Sequence, residues 1–167
     1  MPREIPYIDT TVSVERTLAE IEELLRVHNA SHVMKEYDMG RIKAVGFKHA
    51  GVPFQLPANV DALYQVIATA KKSSPRSPYR WGVVPKEVER AWHEQAERCA
   101  WRNVAAWVKA QLALVELGMV SVTEVFLPYM LVGSQETLYN RMLQSGLQDV
   151  RALGPGDGDV ITVQEKP

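Results

Sequence analysis

The chain has 167 residues, of which 46% are apolar and 23% charged, and its net charge at pH 7 is −1. These are ordinary values for a folded domain, and they argue against a disordered or fibrous protein. Because the net charge is close to zero, any anionic partner must be met by a local basic patch and not by the whole surface. The single cysteine, Cys99, excludes an internal disulfide and favours a reducing compartment.

Two further observations concern the cellular compartment. No apolar run approaches the roughly 20 residues that a membrane-spanning helix needs. The first residues, MPREIPYID, lack the basic-then-apolar order of a signal peptide. We therefore expect a cytoplasmic protein with no membrane partner.

Residues 1–72 predict an α-β-β-β-α unit. Met1–Thr11 contains two prolines and predicts an extended arm. Ser13 is a good N-cap for the helix that follows, because apolar residues then recur at helical spacing. The second helix is predicted at Val60–Lys72, where apolar residues again recur with a period near 3.6.

Three short segments between these helices have the composition of strands: Val33–Tyr37, Arg41–Lys48 and Val52–Leu56. The turn signals Asp38-Met39-Gly40 and His49-Ala50-Gly51 separate them, so the economical prediction is a small antiparallel sheet. Pro53 lacks a backbone N–H, which makes the third strand an edge strand.

The sharpest change in composition is the segment KKSSPRSPYRWGVVP, from Lys71 to Pro85, which is rich in Pro, Ser and basic residues and has no acid. We assign residues 73–84 to a basic and aromatic loop. After it, Pro85–Leu117 has no internal Gly or Pro and predicts one helix about 50 Å long. Its second half is apolar nearly all round, so other elements should cover it on several sides.

Short helices should complete a region 85–150 that packs on the same core as residues 1–72, giving an α+β fold. Ser121-Val122-Thr123-Glu124 has the pattern of a capping box, and Pro128 should end the helix that it opens. Glu136–Leu143 predicts another helix. Residues 151–167 form a tail, in which Val160–Val163 would add an edge strand in cis or to a neighbouring chain.

No catalytic motif is complete. His93-Glu94-Gln95-Ala96-Glu97 lacks the second histidine of the helical zinc-protease motif. A metal-dependent hydrolase that uses Glu89, His93 and Glu97 is therefore the least favoured hypothesis. Glycine spacing matches no phosphate-binding loop, and Cys99 lies among apolar residues, as structural thiols do. We therefore assign no catalytic residue, metal ligand or cofactor, and a non-enzymatic function is favoured.

Two sets of basic residues remain as candidate binding residues. The loop set interleaves cations with aromatic rings, the combination with which proteins hold the phosphates and bases of single strands. The helix set has three cations within about 40° of one another at 100° per residue. Together they are Lys71, Lys72, Arg76, Tyr79, Arg80, Trp81, Lys86, Arg98, Arg102 and Lys109. The alternative is a solvated connector whose Trp81 packs into the core, beside a helix stripe that is merely solvent-exposed.

The segment Ala106–Leu131 carries a recognisable pattern. A run of the form Ala/Lys-Ala-x-Leu-x-x-Val/Ile-Glu-x-Gly is followed by one of the form Glu-Phe/Val-Phe-Leu-x-Tyr. The matching residues are Lys109, Ala110, Leu112, Val115, Glu116, Gly118, Glu124, Phe126, Leu127 and Tyr129. This pattern resembles a family of small uncharacterised proteins of bacterial, phage and prophage genomes, as do TVSVERTLAEIEELL and the strand pair around VGF and FQLP. The resemblance implies a mobile-element context and no particular activity.

The leading functional hypothesis is a nucleic-acid-binding accessory protein of phage or mobile-element type, which binds or anneals single strands. Its near-neutral charge, with a pI of about 6.4, counts against this hypothesis. The alternative is a non-catalytic protein-interaction or assembly module, with Phe126–Leu131 and the terminal Val160–Val163 strand facing partner chains. A helix that is apolar on every side also needs extensive cover, so we expect a homo-oligomer.

Overall fold

The computed structural model describes residues 5–133 and 136–146. Its helices and strands follow one another in the order that the sequence predicts, and the α+β class is confirmed. They are α1 (Val14–Val27), β1 (Ser31–Asp38), β2 (Arg41–His49), β3 (Val52–Pro57), α2 (Val60–Ser73), α3 (Lys86–Glu116), α4 (Val122–Phe126), a 3-10 turn (Leu127–Tyr129) and α5 (Leu138–Gln144). The tail 151–167, with the strand predicted at Val160–Val163, lies outside the described residues.

The sheet is a three-stranded antiparallel meander in the order β1-β2-β3. Both hairpins close through two-residue turns with positive φ at each position: +47° and +79° at Met39-Gly40, and +49° and +82° at Ala50-Gly51. Such turns match the right-handed twist of the flanking strands. Glycine adopts positive φ readily, which explains its place as the second residue of each turn.

Strand β3 lies at one side of the sheet, as Pro53 predicted. Its outer edge is partly covered by the chain after α4, where the Leu131 N–H donates to the Pro53 carbonyl at 2.9 Å and Met130 forms a bridge to Phe54. Phe126 is fully buried. Phe126, Met130 and Leu131 of the segment predicted to face partner chains therefore make contacts within their own chain, whereas Leu127 is 43% exposed.

Helix α3 is unbroken, which confirms the prediction of a single long helix after Pro85. It ends where Gly118 adopts φ +69°. The Gly118 and Met119 N–H groups then donate to the carbonyls of Val115 and Leu114 at 2.9 and 3.0 Å, the pattern of a Schellman motif. Pro85 precedes the first turn of α3 and Gly118 follows its last, so both ends lie where the sequence predicts them.

Two apolar clusters lie along α3. The main cluster joins α1, the sheet, the second half of α3 and α4, and its largest fully buried side chains are Trp101, Phe47, Phe54, Phe126, Ile21 and Leu25. The smaller cluster joins α2, Val84 and the first half of α3, with Ile67, Ala68, Trp92 and Ala96 at its centre. Because Trp92 and Trp101 anchor different clusters, they are structural residues of the core and not one binding platform.

The solvent side of the second half of α3 carries small or charged residues: Lys109, Ala110, Ala113 and Glu116 are exposed. Its large side chains, such as Val108 and Leu112, are buried by α1, the sheet and Phe126. One chain therefore supplies most of the cover that we expected from a second copy. Leu117 and Met119 remain exposed just beyond the helix, and the homo-oligomer stays a prediction.

Several element boundaries lie one or two residues from the predicted ones: β1, for example, begins at Ser31 and not at Val33. Helix α5 begins at Leu138 and not at Glu136, because the Thr137 hydroxyl caps it by accepting from the Asn140 N–H at 3.3 Å. Of the arm predicted to be extended, residues 5–11 are described, and they contain a turn. Tyr7 has φ +61°, and its carbonyl accepts from the Thr10 N–H at 3.0 Å.

The arm is held against α3 by two amide side chains. Gln95 Nε2 donates to the Ile8 carbonyl at 2.6 Å, and Asn103 Nδ2 donates to the Pro6 carbonyl at 2.8 Å. The Cys99 thiol lies beneath the same turn, with Sγ 3.5 Å from the Pro6 oxygen. Burial raises the pKa of this thiol, which fits a structural role and not a nucleophilic one.

We expect Cys99 to react slowly with a thiol reagent in the native protein at neutral pH and rapidly after denaturation, because the folded thiol is buried and protonated. Asn103→Ala removes one of the two amides that hold the arm, and should raise the native rate several-fold. Reaction with an aromatic disulfide, followed by absorbance, measures both rates. Equal rates in the native and denatured protein would contradict the burial of this thiol.

Candidate functional site

Most of the predicted binding residues lie on one continuous stretch between α2 and α3. Lys71 and Lys72 form the last turn of α2, and Lys86 begins α3. The remaining members, Arg76, Tyr79, Arg80 and Trp81, lie on the connection between these helices. We call residues 71–86 the basic segment. All five of its cations are exposed.

Trp81 is the most informative residue of the basic segment. Trp81 is 90% exposed, so the prediction that it packs into the core is wrong, while the solvated connector itself stays an alternative. The guanidinium carbon of Arg80 lies 5.3 Å from the centre of the Trp81 ring. This cation–π contact covers one part of an accessible indole and holds a positive charge beside it. Val83, two residues later, is 94% exposed.

Tyr79 has a different environment. It is half-buried, and its ring packs edge-on against Trp92, with centroids 5.9 Å apart and an interplanar angle of 74°. Its backbone N–H donates to the Ser77 hydroxyl at 3.2 Å. Tyr79 therefore anchors the basic segment to the smaller apolar cluster, whereas Trp81 extends away from it.

The basic segment is a local positive surface on a chain of near-zero net charge. No acidic residue occurs between Asp61 and Glu87. In residues 5–133 and 136–146, none of the five cations of the segment takes part in an ion pair. Glu87 and Glu89 in the first turn of α3 limit the positive surface on the side of Lys86. Such exposed cations can bind an anion without first breaking an ion pair.

The three cations predicted on α3 do not form one such surface. Arg102 forms a half-buried ion pair with Glu20 of α1, and its guanidinium lies 5.9 Å from the centre of the Tyr7 ring. Arg98 is also half-buried, and it donates to Gln95 Oε1 at 2.6 Å. Lys109 alone of the three is exposed. Arg98 and Arg102 thus make contacts within the fold. The three cations of α3 therefore do not extend the basic segment as one exposed surface.

The histidine of the incomplete metal motif on α3 makes other contacts. His93 stacks on Tyr64, with ring centroids 4.0 Å apart, and its Nδ1 accepts a hydrogen bond from Arg41 at 2.8 Å. A guanidinium beside this nitrogen repels any cation that would bind there. Across the described part of the chain, no three His, Cys, Asp or Glu side chains are grouped as metal ligands.

No protein-family model, curated protein or solved structure matches this chain. The resemblance of Ala106–Leu131 to small phage and prophage proteins therefore stays a prediction. Its matched residues have structural roles here: Leu112 and Phe126 are buried in the main cluster, and Gly118 ends α3. No helix within the described ranges is both long and apolar enough to cross a membrane.

Sequence reasoning missed a groove beside the basic segment. It has a volume of about 550 Å³ and lies between α2, the turn before Tyr79 and the N-terminal arm. Its lining is mainly aliphatic and aromatic, and it includes Ile5, Ile8, Val66, Ile67, Tyr79 and Trp92. The sequence gives no signal for this groove, because the arm and α2 are far apart in the chain and only the fold places them together.

Proposed function

We propose that the protein binds single-stranded nucleic acid through the basic segment, as a non-enzymatic accessory protein. The observation that carries this proposal is the exposure of the Trp81 indole, which has the Arg80 guanidinium beside it. The cations around it form no ion pair with an acidic side chain of the described residues. Sequence-tolerant binding of single strands has two components: cations that contact the phosphates, and aromatic rings on which the bases stack.

Stacking explains why a large aromatic ring would remain in water. An exposed indole gains little from the folded state, whereas a base stacked on it contributes about 1–3 kcal/mol to binding. Arg80 lies close enough to the same ring to neutralise a phosphate that flanks the stacked base. Duplex DNA offers no free base faces, so the arrangement favours single strands.

The number of phosphate contacts follows from which cations are exposed. Each neutralised phosphate of a single strand contributes about −0.7 to the slope of log K against log salt. The five cations of the basic segment therefore predict a slope of about −3.5. Adding the three cations of α3 would give about −5.6. The contacts of Arg98 and Arg102 argue for the smaller value, and Lys109 lies roughly 35 Å along the helix from Lys86.

Titration of fluorescent oligothymidylate and a duplex of equal length, between about 50 and 200 mM salt, tests this proposal. Arg80→Gln and Lys86→Gln should each make the slope shallower by about 0.7. Lys109→Gln is the matched control, because it removes the same charge from an exposed site on α3 and should leave the slope unchanged.

An equal effect of all three variants would mean that the whole protein attracts the strand and that the basic segment is not the site. If the wild-type protein binds no oligonucleotide at about 50 mM salt, the proposal fails. The protein-interaction module then becomes the better hypothesis.

A further inference from the structure

The groove beside the basic segment combines an apolar floor with a cationic rim. Buried Ile67 and Trp92 form the floor, and Ile5, Ile8 and Val66 extend it. Lys71 and Arg76, both exposed, line it as well. The ion pairs of the described residues include neither cation. An apolar body with one anionic end is the ligand that complements both parts.

We propose that this groove binds a single-chain amphiphilic anion, with its aliphatic chain on the floor and its carboxylate between Lys71 and Arg76. The proposal goes beyond nucleic-acid binding, because Trp81, the residue that carries that proposal, does not line the groove. Lys71 and Arg76 belong to both surfaces. A volume of about 550 Å³ falls within the usual range of small-molecule sites.

A nucleobase fits this groove less well than an aliphatic chain. Besides Tyr79, Trp92 and the two cations, the described residues of the lining have only two polar side chains, the hydroxyls of Ser74 and Ser77, and one lone pair of Ser77 accepts from the Tyr79 N–H. The donors and acceptors on a base edge would remain largely unpaired against Ile and Val, and each unpaired group is unfavourable. An aliphatic chain has no such groups, and it gains from every methylene that it buries.

Calorimetric titration of the full-length chain with octanoate, decanoate and dodecanoate, each below its micellar concentration, tests the proposal. We expect saturable 1:1 binding, with a Kd that falls by up to about fifteen-fold for each two added methylenes. Neutral 1-decanol should bind more weakly than decanoate, because it lacks the charge that Lys71 and Arg76 complement. Absence of saturable binding, or an affinity independent of chain length, would overturn the proposal.

Three variants locate the site. Lys71→Gln should weaken decanoate by up to about fivefold, whereas Lys72→Gln, which removes the neighbouring charge outside the groove, should have no effect. Ala70→Phe fills the groove from an exposed helix position and should abolish binding without unfolding α2. Equal weakening by the two lysine variants, or full binding by Ala70→Phe, would show that the anion binds elsewhere.

The same proteins separate this proposal from the nucleic-acid proposal. Trp81→Ala should reduce oligonucleotide binding and leave decanoate binding intact, and Ala70→Phe should do the reverse. Binding to neutral phospholipid vesicles without binding of monomeric decanoate would indicate a membrane surface as the ligand, and would likewise overturn the groove proposal.

Discussion

Replacing Trp81 by alanine is expected to weaken the binding of single-stranded oligonucleotide by about 1–3 kcal/mol, or roughly 5- to 150-fold. The ring is 90% exposed, so its removal takes away a stacking surface and creates no cavity in the core. The salt slope should stay the same, because no phosphate contact is lost. Fluorescence anisotropy at two salt concentrations measures both quantities.

Two further variants of this loop give the control. Val83→Ala removes an equally exposed apolar side chain that cannot stack on a base, and it should leave the affinity unchanged. Trp81→Phe keeps a ring and should retain most of the affinity. All of these variants should unfold at the wild-type temperature. If Trp81→Ala binds as tightly as the wild type, the cations alone hold the strand and stacking plays no part.

Phe126→Ala is expected to reduce the free energy of unfolding by about 3–5 kcal/mol, the usual cost of truncating a fully buried phenylalanine. Its ring centroid lies 5.4 Å from that of Phe47, 6.2 Å from that of Phe54 and 5.5 Å from that of Trp107. One side chain thus joins the sheet, α3 and α4, and its removal leaves a cavity among all three. Urea denaturation followed by circular dichroism measures the loss.

Leu127→Ala is the matched control for this prediction. Leu127 is the next residue along the chain and is 43% exposed, so its truncation should cost less than about 1 kcal/mol. Similar losses for the two variants would mean that Phe126 does not occupy the core.

The elements that the sequence predicts well carry their own local signals. Ser13 and Ser121 accept hydrogen bonds from backbone N–H groups at the starts of α1 and α4, as N-cap residues do. The Met39-Gly40 and Ala50-Gly51 pairs close the two hairpins. In each case a few adjacent residues decide the backbone conformation, so a short stretch of sequence is enough to recognise it.

The features that sequence reasoning missed depend on residues that are distant in the chain. Arg102 pairs with Glu20, and Gln95 holds the arm at Ile8, although neither partner is near in sequence. Arg98 and Arg102 of the predicted basic ridge are therefore half-buried in contacts beside the arm, and only Lys109 of the three is exposed. Tyr79 and Trp81 are only two residues apart, yet one packs on Trp92 and the other extends into solvent. Composition gives no reason to distinguish them.

By itself, the sequence determined the order and type of the helices and strands, the two tight turns and the location of the basic segment, because capping groups, glycines and hydrophobic period act over a few residues. The tertiary structure decided which cations remain exposed, which aromatic ring is presented to solvent, and that a groove opens between the arm and α2. Burial and ion pairing depend on how distant segments pack against one another, and local sequence does not record that packing.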